Sequence, residues 1–408
     1  MSKKLVVIGG GAAGFFCAVN AARLRPGLEV VLLERSSKLL SKVKVSGGGR
    51  CNVTHDCNSI ADMIKMYPRG AAFLKKAFHH FFTTDTVSWF ETRAVKLKTE
   101  TDGRMFPVTD QSQTIIDCLL NEASKYRVNI QMNVTVESIN KNGNSWQIHA
   151  ANKIIEADYI CIAAGGFSKA LQFNWITNTG HSIENPVPSL FTFNIPGNGI
   201  TDLMGISLEN VSVKIAGTKL QDNGPLLITH WGLSGPAILK LSAWGAKELS
   251  NKNYAFKIVV NWLPAFNETT LKIKFQEIRF NQASQKIINR NPFGLPSRLW
   301  EYLLTNCDVK EGIRWADLPA KEQNKLIKIL CAQEFSVKGK TTFKEEFVTA
   351  GGIRLNEIDV NTMESKILPG LFFAGEIIDV DGVTGGYNFQ NAWTTGWIAA
   401  QGIIAKQS

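Results

Sequence analysis

The amino-acid sequence predicts an α/β protein of two domains, in which the second domain interrupts the first. Three observations support this fold class. A β-branched strand, a glycine turn and an alanine-rich helix occupy residues 4–24, a strand, a loop and a helix occupy residues 370–405, and this alternation is lost between residues 191 and 344. We therefore expect a discontinuous Rossmann-like domain at 1–190 and 345–408, and an inserted β-rich plus helical domain, barrel-like in its strands, at 191–344.

Composition agrees with a folded protein and excludes several classes. The 408 residues are 44% hydrophobic and 20% charged, which is typical of globular chains large enough for two cores. The net charge is +10, but lysine and arginine are spread along the chain. A small molecule is therefore favoured over nucleic acid as the partner. Because no segment reaches the roughly 18 apolar residues of a membrane helix, we expect a cytoplasmic protein without a membrane partner.

Cysteine and acidic residues do not indicate a metal site. The seven cysteines contain no C-x-x-C pair, so the sequence predicts neither a zinc site nor a redox dithiol. Scattered single cysteines instead predict a reducing compartment. Asp379 and Asp381 alternate in a glycine-containing segment, which is more typical of a turn than of a metal pair, since no further ligand accompanies them.

The first glycine turn reads Gly9-x-Gly11-x-x-Gly14 between a strand and a helix. In that context the pattern is the dinucleotide-binding fingerprint. Gly9 permits the tight turn, Gly11 lets a pyrophosphate approach the backbone, and Gly14 lets helix and strand pack closely. The phosphates would lie at the helix N-terminus beside Ala13.

An acidic residue follows at the expected distance. Glu34, with Arg35 beside it, ends the next strand twenty residues beyond Gly14. A carboxylate there can accept hydrogen bonds from ribose hydroxyls, whereas it would repel a 2′-phosphate. The ligand is therefore predicted to be FAD or NAD rather than NADP.

A second glycine run, "VKVSGGGRCNVTH" at residues 43–55, favours the longer of these cofactors. A chain wound as βαβ returns here to the same edge of the sheet, and a second close approach suits FAD, whose ribityl and ring extend beyond the pyrophosphate. Arg50 and Lys42 would offset cofactor charge and Asn52 would hydrogen-bond the ring or ribityl, while Cys51 is either a redox partner or a packing residue. The cofactor contacts expected in this segment are Lys42, Ser46, Gly47, Gly48, Arg50, Cys51 and Asn52.

Several motifs together carry a family resemblance. "SGGGRCNVT", "GRMFP" at 103–107, "THWGLSGPA" at 229–237 and "GLFFAGEIIDVDGVTGGYNFQNAWTTG" at 370–396 resemble the bacterial flavoproteins that include BaiN-like and aminoacetone-oxidase-like proteins. The resemblance covers essentially the whole chain and implies FAD. It departs from the family pattern at His55, where an asparagine is usual, and in the segment after Gly166.

Further cofactor contacts are implied by the same resemblance. Main-chain atoms near Val136 would meet the adenine, and a small-residue turn after the strand "ICIAA" would place Ala164 and Gly165 along the cofactor. Near the C-terminus, Gly375 and Glu376 would hold the ribityl. The final helix is expected to begin after Gly386, near Tyr387 and Asn388, with its free N–H groups aimed at the flavin edge where negative charge collects on reduction.

These features predict an FAD-dependent oxidoreductase that transfers a hydride between the flavin and a small organic substrate or NAD(P)H. No second dinucleotide fingerprint is present, so an oxidase and a dehydrogenase with transient NAD(P)H both stay open. The alternatives are a tRNA-modifying flavoprotein, a non-catalytic FAD-binding module and a plain NAD-dependent dehydrogenase. Catalytic residues, the substrate and the oligomeric state are not assigned, and His230 is either a substrate contact or a turn residue.

Overall fold

The computed structural model describes residues 3–150, 153–341 and 348–406. The chain divides into two compact units: Met1–Ser189 with Phe343–Ser408 (unit 1), and Leu190–Thr342 (unit 2). The domain boundary expected between residues 344 and 345 lies outside the described residues.

The secondary structure alternates strands and helices at both ends of the chain. The strands are β1 (Lys4–Ile8), β2 (Glu29–Leu33), β3 (Thr54–His55), β4 (Leu97–Thr99), β5 (Arg104–Pro107), β6 (Asn129–Gln131), β7 (Ser138–Asn142), β8 (Ser145–Ala150), β9 (Lys153–Ala157), β10 (Tyr159–Ile162), β11 (Ile183–Ser189), β12 (Thr192–Asn194), β13 (Ser207–Ile215), β14 (Gln221–Ile228), β15 (Gly232–Ser234), β16 (Ala255–Asn261), β17 (Gln333–Lys338), β18 (Lys340–Thr341), β19 (Val348–Ile353) and β20 (Leu371–Phe373). The helices are α1 (Ala12–Leu24), α2 (Ser41–Gly49), α3 (Ile60–Met63), α4 (Ala71–Ala77), α5 (Thr83–Glu91), α6 (Ser112–Lys125), α7 (Asn174–Thr177), α8 (Pro236–Trp244), α9 (Ala246–Asn251), α10 (Glu268–Asn281), α11 (Ser297–Asn306), α12 (Ala320–Ala332) and α13 (Tyr387–Ala405).

Unit 1 is built on a parallel sheet whose described strands run in the order β20-β10-β1-β2-β6. β1 is the central strand and the side chains from Leu5 to Ile8 are buried. A parallel strand covered on both faces needs such a continuous apolar run, which explains why "LVVI" forms it. The sheet therefore presents the carboxyl ends of β1, β2, β10 and β20 at one edge.

Two apolar helices pack against each other in unit 1. α1 is buried from Ala13 to Ala22, and the ring of Phe16 lies 5.2 Å from that of Trp393 on α13. Gly396 allows the close approach, because a Cβ there would lie 2.7 Å from the carbonyl oxygen of Ala13. The two motif-bearing ends of the chain are thus held together by helix packing.

Three smaller antiparallel groups complete the strands that the structure describes in unit 1: β3-β5-β4, β7-β8-β9 and β11-β19. The sequence "SWQIHAANKIIEADYICI" predicts a hairpin and a buried strand, which are confirmed as β8, β9 and β10. The alternation of apolar and polar residues in "VNIQMNVTVESI", at 128–139, predicts one strand, and this is wrong, since β6 ends at Gln131 and β7 begins at Ser138. The N–H of Val134 donates instead to the carbonyl of Glu34, at 2.9 Å, which pulls the segment out of strand geometry.

Unit 2 is an antiparallel sheet in the order β17-β16-β13-β14-β15-β12-β18 over the described strands, with helices α8 to α12. The segments "ETTLKIKFQEIRF", "PSRLWEYLL" and "KEQNKLIKILCAQ" predict helices, which are confirmed as α10, α11 and α12. The segment "GPLLITHWGLSGPAIL" predicts a strand, but its end is helical from Pro236 because proline suits the first helical turn. Large side chains, including Trp262, Trp300 and Trp315, fill a core of its own.

In the described ranges, none of the helices is both long and apolar enough to cross a bilayer.

Candidate cofactor site

The first glycine turn joins β1 to α1 at the carboxyl edge of the parallel sheet. A Cβ at Gly14 would lie 1.9 Å from the carbonyl oxygen of Gly9, and one at Gly9 would lie 2.3 Å from that of Ala163. Gly9 also has a φ of +120°, which disfavours any side chain. At Gly11, by contrast, a Cβ would meet no heavy atom of the described chain within 4 Å. Gly9 and Gly14 therefore pack the turn, while Gly11 borders open space.

The N-terminus of α1 is available to an anion. Gly11 is the N-cap and provides no side-chain hydrogen bond, and the first turn from Ala12 holds no acidic residue. The leading N–H groups therefore keep their partial positive charge, which favours a phosphate. Gly375 lies against this turn, because a Cβ there would be 2.7 Å from the Cβ of Ala13.

Glu34 follows β2 and is held by main-chain donors. Its Oε2 accepts from the N–H of Gly10 at 2.8 Å, and its Oε1 accepts from the N–H and hydroxyl of Ser36, each at 2.8 Å. Its carbonyl accepts from Val134, so the irregular segment that contains Val136 lies beside it. Glu34 thus fixes the glycine turn and keeps lone pairs for a further donor. Arg35 is exposed.

The second glycine run leaves helical geometry at the end of α2. Ser46 is extended, and Gly47, Gly48 and Gly49 have φ values of +58°, +68° and +86°. A Cβ at Gly47 would lie 2.8 Å from the ring of Phe106, so this glycine packs against protein. At Gly48 and Gly49 a Cβ would have no neighbour within 4 Å in the part of the chain that the structure describes. The run is therefore a left-handed loop with an open face.

The two cations predicted near the cofactor have protein partners. Arg50 Nη1 lies 2.6 Å from Glu100 Oε1, and its guanidinium lies 4.0 Å from the centroid of Phe106. Lys42 Nζ lies 2.6 Å from Glu376 Oε2. Arg50 therefore braces the glycine run, and Lys42 links α2 to the segment after β20.

Cys51 and Asn52 have different environments. Cys51 is fully buried with a φ of +63°, and burial raises the pKa of its thiol to about 12. A thiol that stays protonated at neutral pH is a poor redox nucleophile, which favours the packing alternative. The Asn52 carboxamide donates to the carbonyl of Thr54 and accepts from the N–H of Gly386, each at 2.9 Å, in the orientation that satisfies both groups.

A third group of small residues follows β10. Gly165 has a φ of +74°, and a Cβ at this position would meet no described atom within 4 Å. A Cβ at Gly166 would lie 2.4 Å from Thr349 Oγ1 and 2.7 Å from Glu376 Oε1. The Thr349 hydroxyl is buried and has no hydrogen-bond partner among the described residues. Glu376 Oε1 accepts from the N–H of Thr349 at 2.8 Å, and Ala164, partly buried, precedes these contacts.

The start of α13 offers a second helix N-terminus. Gly386, with a φ of +93°, is the N-cap and supplies no side-chain cap to the helix. Its lack of a side chain is required, because a Cβ would lie 2.5 Å from the carbonyl of Thr54. Both ends of the Asn388 carboxamide are bonded to Gly382, at 2.8 Å each. Asn388 therefore offers its main-chain N–H rather than its side chain.

Aromatic contacts at this helix start were not predicted. The ring of His55 stacks on that of Tyr387 with centroids 4.8 Å apart and planes inclined by 25°, and His55 Nδ1 lies 3.1 Å from the carbonyl oxygen of Gly385. The hydroxyl of Tyr67 donates to the carbonyl of Tyr387 at 2.7 Å. Burial raises the pKa of Tyr387, so its phenol keeps its proton at neutral pH. The signal available in the sequence was the departure from the family pattern at His55.

The acidic pair near the C-terminus has a structural partner. Asp381 is buried and forms an ion pair with Arg69, and it accepts from the hydroxyl of Ser189 at 2.9 Å. Within residues 3–150, 153–341 and 348–406, no group of three or more His, Cys, Asp or Glu side chains could hold a metal ion. Arg69 could not have been assigned to Asp381 from the sequence, since nothing local connects them.

His230 lies in unit 2, in the turn between β14 and β15. The turn is closed by Thr229 and Gly232, whose N–H and carbonyl groups bond each other at 2.8 and 3.2 Å. The His230 ring lies 4.6 Å from the ring of Trp231, which is 46% exposed. Both readings of His230, as a substrate contact and as a turn residue, stay open.

Comparison with known proteins agrees with this architecture. Residues 3–402 match the family model described as HI0933-like protein Rossmann domain. The chain is 30% identical to the ribosomal RNA dihydrouridine synthase of Escherichia coli, over 99% of this chain and 98% of that protein. It is 26% identical to the 3-dehydro-bile acid delta(4,6)-reductase of Clostridium scindens, over 99% of each. The fold also resembles 3-ketosteroid delta1-dehydrogenase from Sterolibacterium denitrificans, with a TM-score of 0.54 and 11% identity over 98% of this chain and 99% of that one. The match spans both ends of the chain, where the glycine turns lie, and the chain belongs to the HI0933-like Rossmann-domain family of oxidoreductase-type proteins.

Proposed function

We propose that this protein is an FAD-dependent reductase of carbon–carbon double bonds that are conjugated with a carbonyl group. The observation that carries the proposal is the set of open backbone positions at the sheet edge. A Cβ at Gly11, Gly48 or Gly165 would meet no described atom within 4 Å, whereas one at Gly9, Gly14, Gly47 or Gly166 would collide with the protein. An elongated ligand that needs close main-chain contact at several points fits this pattern.

We propose that FAD fills these positions, with each part of the cofactor meeting a different segment of the chain. The uncapped N-terminus of α1, with Gly9, Gly11, Ala13 and Gly14, would hold the pyrophosphate. Glu34 would accept from the adenosine ribose, and main-chain atoms near Val136 would meet the adenine. The remaining proposed contacts are Arg35, Lys42, Ser46, Gly47, Gly48, Arg50, Cys51, Asn52, Ala164, Gly165, Gly375, Glu376, Gly386, Tyr387 and Asn388.

Two local features suit the ribityl and ring. The Thr349 hydroxyl is buried without a partner in the described chain, next to the Glu376 carboxylate, and a ligand hydroxyl would satisfy it. The uncapped start of α13 would stabilise negative charge at the ring edge, because helix N-termini favour anions. When bound, FAD supplies hydride transfer at N5. The chain's own groups bind it, orient it and stabilise its charge.

The class of substrate follows from what two full-length relatives are named for. Forming a dihydrouridine from uridine and reducing a 3-dehydro bile acid at delta(4,6) both saturate a double bond conjugated with a carbonyl. We carry this reaction class to the present chain, with a small organic enone as the substrate and NADH or NADPH as a transient hydride donor. The hydride would go to one carbon of the double bond, and a proton delivered to the other carbon would complete the reduction.

Uridine in ribosomal RNA is a second candidate substrate. It is favoured by the 30% identity to a ribosomal RNA dihydrouridine synthase over 99% of this chain. A basic protein gains affinity for RNA by releasing counterions from the phosphate backbone, so this candidate predicts binding that weakens steeply with salt.

The test begins with the visible spectrum of the purified protein after incubation with FAD. Flavin bands near ~450 nm that bleach under anaerobic NADH or NADPH are expected. The reduced protein is then mixed anaerobically with an unsaturated 3-ketosteroid, with free uridine, or with ribosomal RNA lacking dihydrouridine. Return of the flavin bands together with a product heavier by two hydrogens identifies the substrate. A protein that takes up no FAD, or a reduced flavin that none of these reoxidises, contradicts the proposal.

A further inference from the structure

A groove of about 460 Å³ lies in unit 1 at the far end of α1 from the glycine turn. It is formed by α1, α5, α6 and α13, and the side chains that matter here are Arg23, Trp89, Arg93, Lys125, Tyr126 and Trp397. We infer that this Arg23 groove is a second ligand site of the protein, which binds the phosphate group of a nucleotide. The inference does not depend on the proposed reaction.

Arg23 is the reason to expect an anion. Its guanidinium is half-buried and lies 5.7 Å from the centroid of the Trp397 ring, and its Nε is buried with no hydrogen-bond partner among the described residues. No carboxylate within the described ranges pairs with it. A buried donor without an acceptor costs roughly 1–3 kcal/mol, so a bound acceptor is favoured here. Guanidinium groups bind phosphate oxygens through paired, charge-assisted hydrogen bonds.

The two carboxylates that line the groove are already engaged. Glu122 Oε2 accepts from Arg93 Nε at 2.7 Å, and Glu122 Oε1 lies 3.6 Å from Lys125 Nζ. Asp85 accepts from the N–H of Phe82 at 2.7 Å. Arg93 is stacked on Trp89, with 3.7 Å between its guanidinium carbon and the ring centroid. Arg23 therefore keeps an uncompensated positive charge beside a second, compensated arginine.

A helix C-terminus alone does not account for Arg23. A basic residue in the last turn stabilises the helix dipole, and Arg23 occupies that turn of α1. A dipole contact, however, leaves the side chain in water, whereas Nε of Arg23 is buried. Arg25, which is also partly buried, lies at the same end of α1 but does not line the groove.

The position and size of the groove identify a nucleotide as the class of ligand. Arg23 lies eleven residues after the first residue of α1, which is about 16 Å at 1.5 Å per residue. A ligand at Arg23 is thus separate from one at the glycine turn. The volume of about 460 Å³ falls in the range of small-molecule sites. The Trp397 ring packs between Arg23 and Phe81 and so positions the guanidinium, while the half-buried ring of Tyr126 offers a flat surface for a base beside the phosphate.

The experiment measures binding of AMP, inorganic phosphate and a short oligouridylate by calorimetry, with protein saturated with FAD. Flavin that stays with the protein when the titrated mixture is passed through an ultrafiltration membrane shows that the ligand has not displaced FAD from the glycine turn. Arg23→Gln is compared with Arg25→Gln, which removes the same charge from the same end of α1 outside the groove. We expect Arg23→Gln to weaken AMP binding about tenfold or more and Arg25→Gln to change it less than about twofold.

The outcomes separate clearly. If AMP binds and the oligouridylate binds no more tightly, the ligand is a free nucleotide; if the oligouridylate binds more tightly and depends on Arg23, the ligand is a nucleotide within RNA. Absence of saturable binding of all three probes at millimolar concentration overturns the inference, as does an equal loss in the two variants. If Arg23→Gln does not fold, Arg23→Lys and Trp397→Leu replace it, and unchanged AMP affinity in both overturns the inference.

Discussion

Arg69 and Asp381 form an ion pair across 312 residues of sequence, and the side chain of Asp381 is fully buried. The pair joins the segment before α4 to the loop that precedes α13, next to the proposed flavin edge. Asp381→Ala would remove the carboxylate partner of Arg69 and the acceptor of the Ser189 hydroxyl. We expect the free energy of unfolding to fall by about 3–5 kcal/mol, since breaking a buried pair leaves a charge uncompensated.

Urea unfolding followed by circular dichroism measures this loss. The matched control is Glu277→Ala, which breaks the exposed pair with Lys274 at 2.8 Å and should cost less than about 1 kcal/mol. Equal losses in the two variants would show that Asp381 does not stabilise the fold through Arg69.

The glycines of the first turn provide a second prediction. Gly14→Ala would place a Cβ about 1.9 Å from the carbonyl oxygen of Gly9, so α1 must shift and the protein should be strongly destabilised. Gly11→Ala meets no described atom within 4 Å and should leave the melting temperature of the FAD-free protein nearly unchanged while lowering FAD content. Thermal unfolding and the ratio of flavin to protein absorbance distinguish the two effects. Full FAD retention in folded Gly11→Ala would exclude a pyrophosphate at that position.

Cysteine reactivity provides a third prediction. All seven cysteines are described, and Cys57 alone among them is not buried. Because burial raises the pKa of Cys51 to about 12, its thiolate is scarce at pH 8 and access to it is blocked. Iodoacetamide should therefore modify Cys57 first in the native protein, with Cys51 modified only on unfolding, as peptide mass spectrometry would show. Labelling of Cys51 as fast as Cys57 would restore the redox alternative.

The sequence predicted those parts of the site that depend on local backbone chemistry. Gly9, Gly11 and Gly14 could be assigned separate roles because a strand, a turn and a helix dictate them in order, and the structure places Gly11 against open space as expected. Contacts between distant side chains could not be predicted in this way. The stacking of His55 on Tyr387 and the pairing of Arg69 with Asp381 join segments more than 300 residues apart, and no periodicity encodes them.

The error at residues 132–137 has a similar cause. "VNIQMNVTVESI" alternates apolar and polar residues, which favours a strand when neighbours are ignored. In the structure the N–H of Val134 bonds the carbonyl of Glu34, and the N–H of Asn133 bonds that of Ser36. These tertiary bonds replace the ladder that a continuous strand would need, so the segment follows the end of β2 instead.

His181 provides a prediction about pH. It is buried, and its Nδ1 and Nε2 lie 2.7 Å from the hydroxyl oxygens of Thr179 and Ser365. The Thr179 hydroxyl donates to the carbonyl of Ile176 and so accepts from Nδ1. The Ser365 oxygen already accepts from two main-chain N–H groups, and its own hydrogen is therefore directed at Nε2. This network accepts only the neutral imidazole.

Protonation of His181 should therefore weaken the fold. Burial lowers the pKa of His181 below its ordinary value of 6.5, and the more distant Glu357 opposes this only in part. Just below pH 6.5 the unfolded chain binds a proton that the folded chain does not, so the free energy of unfolding falls as pH decreases through that window and is unaffected by His181 above it. The measurement is urea unfolding at intervals from about pH 7 to about pH 5. As pH decreases, the free energy of unfolding should fall more steeply for the natural protein than for His181→Gln. The difference in slope should be a fraction of ~1.4 kcal/mol per pH unit, which is the slope for uptake of one full proton. His149→Gln, at a partly buried position of β8, controls for the loss of a histidine as such. Identical slopes for the natural protein and His181→Gln would mean that the buried imidazole accepts its proton as readily folded as unfolded.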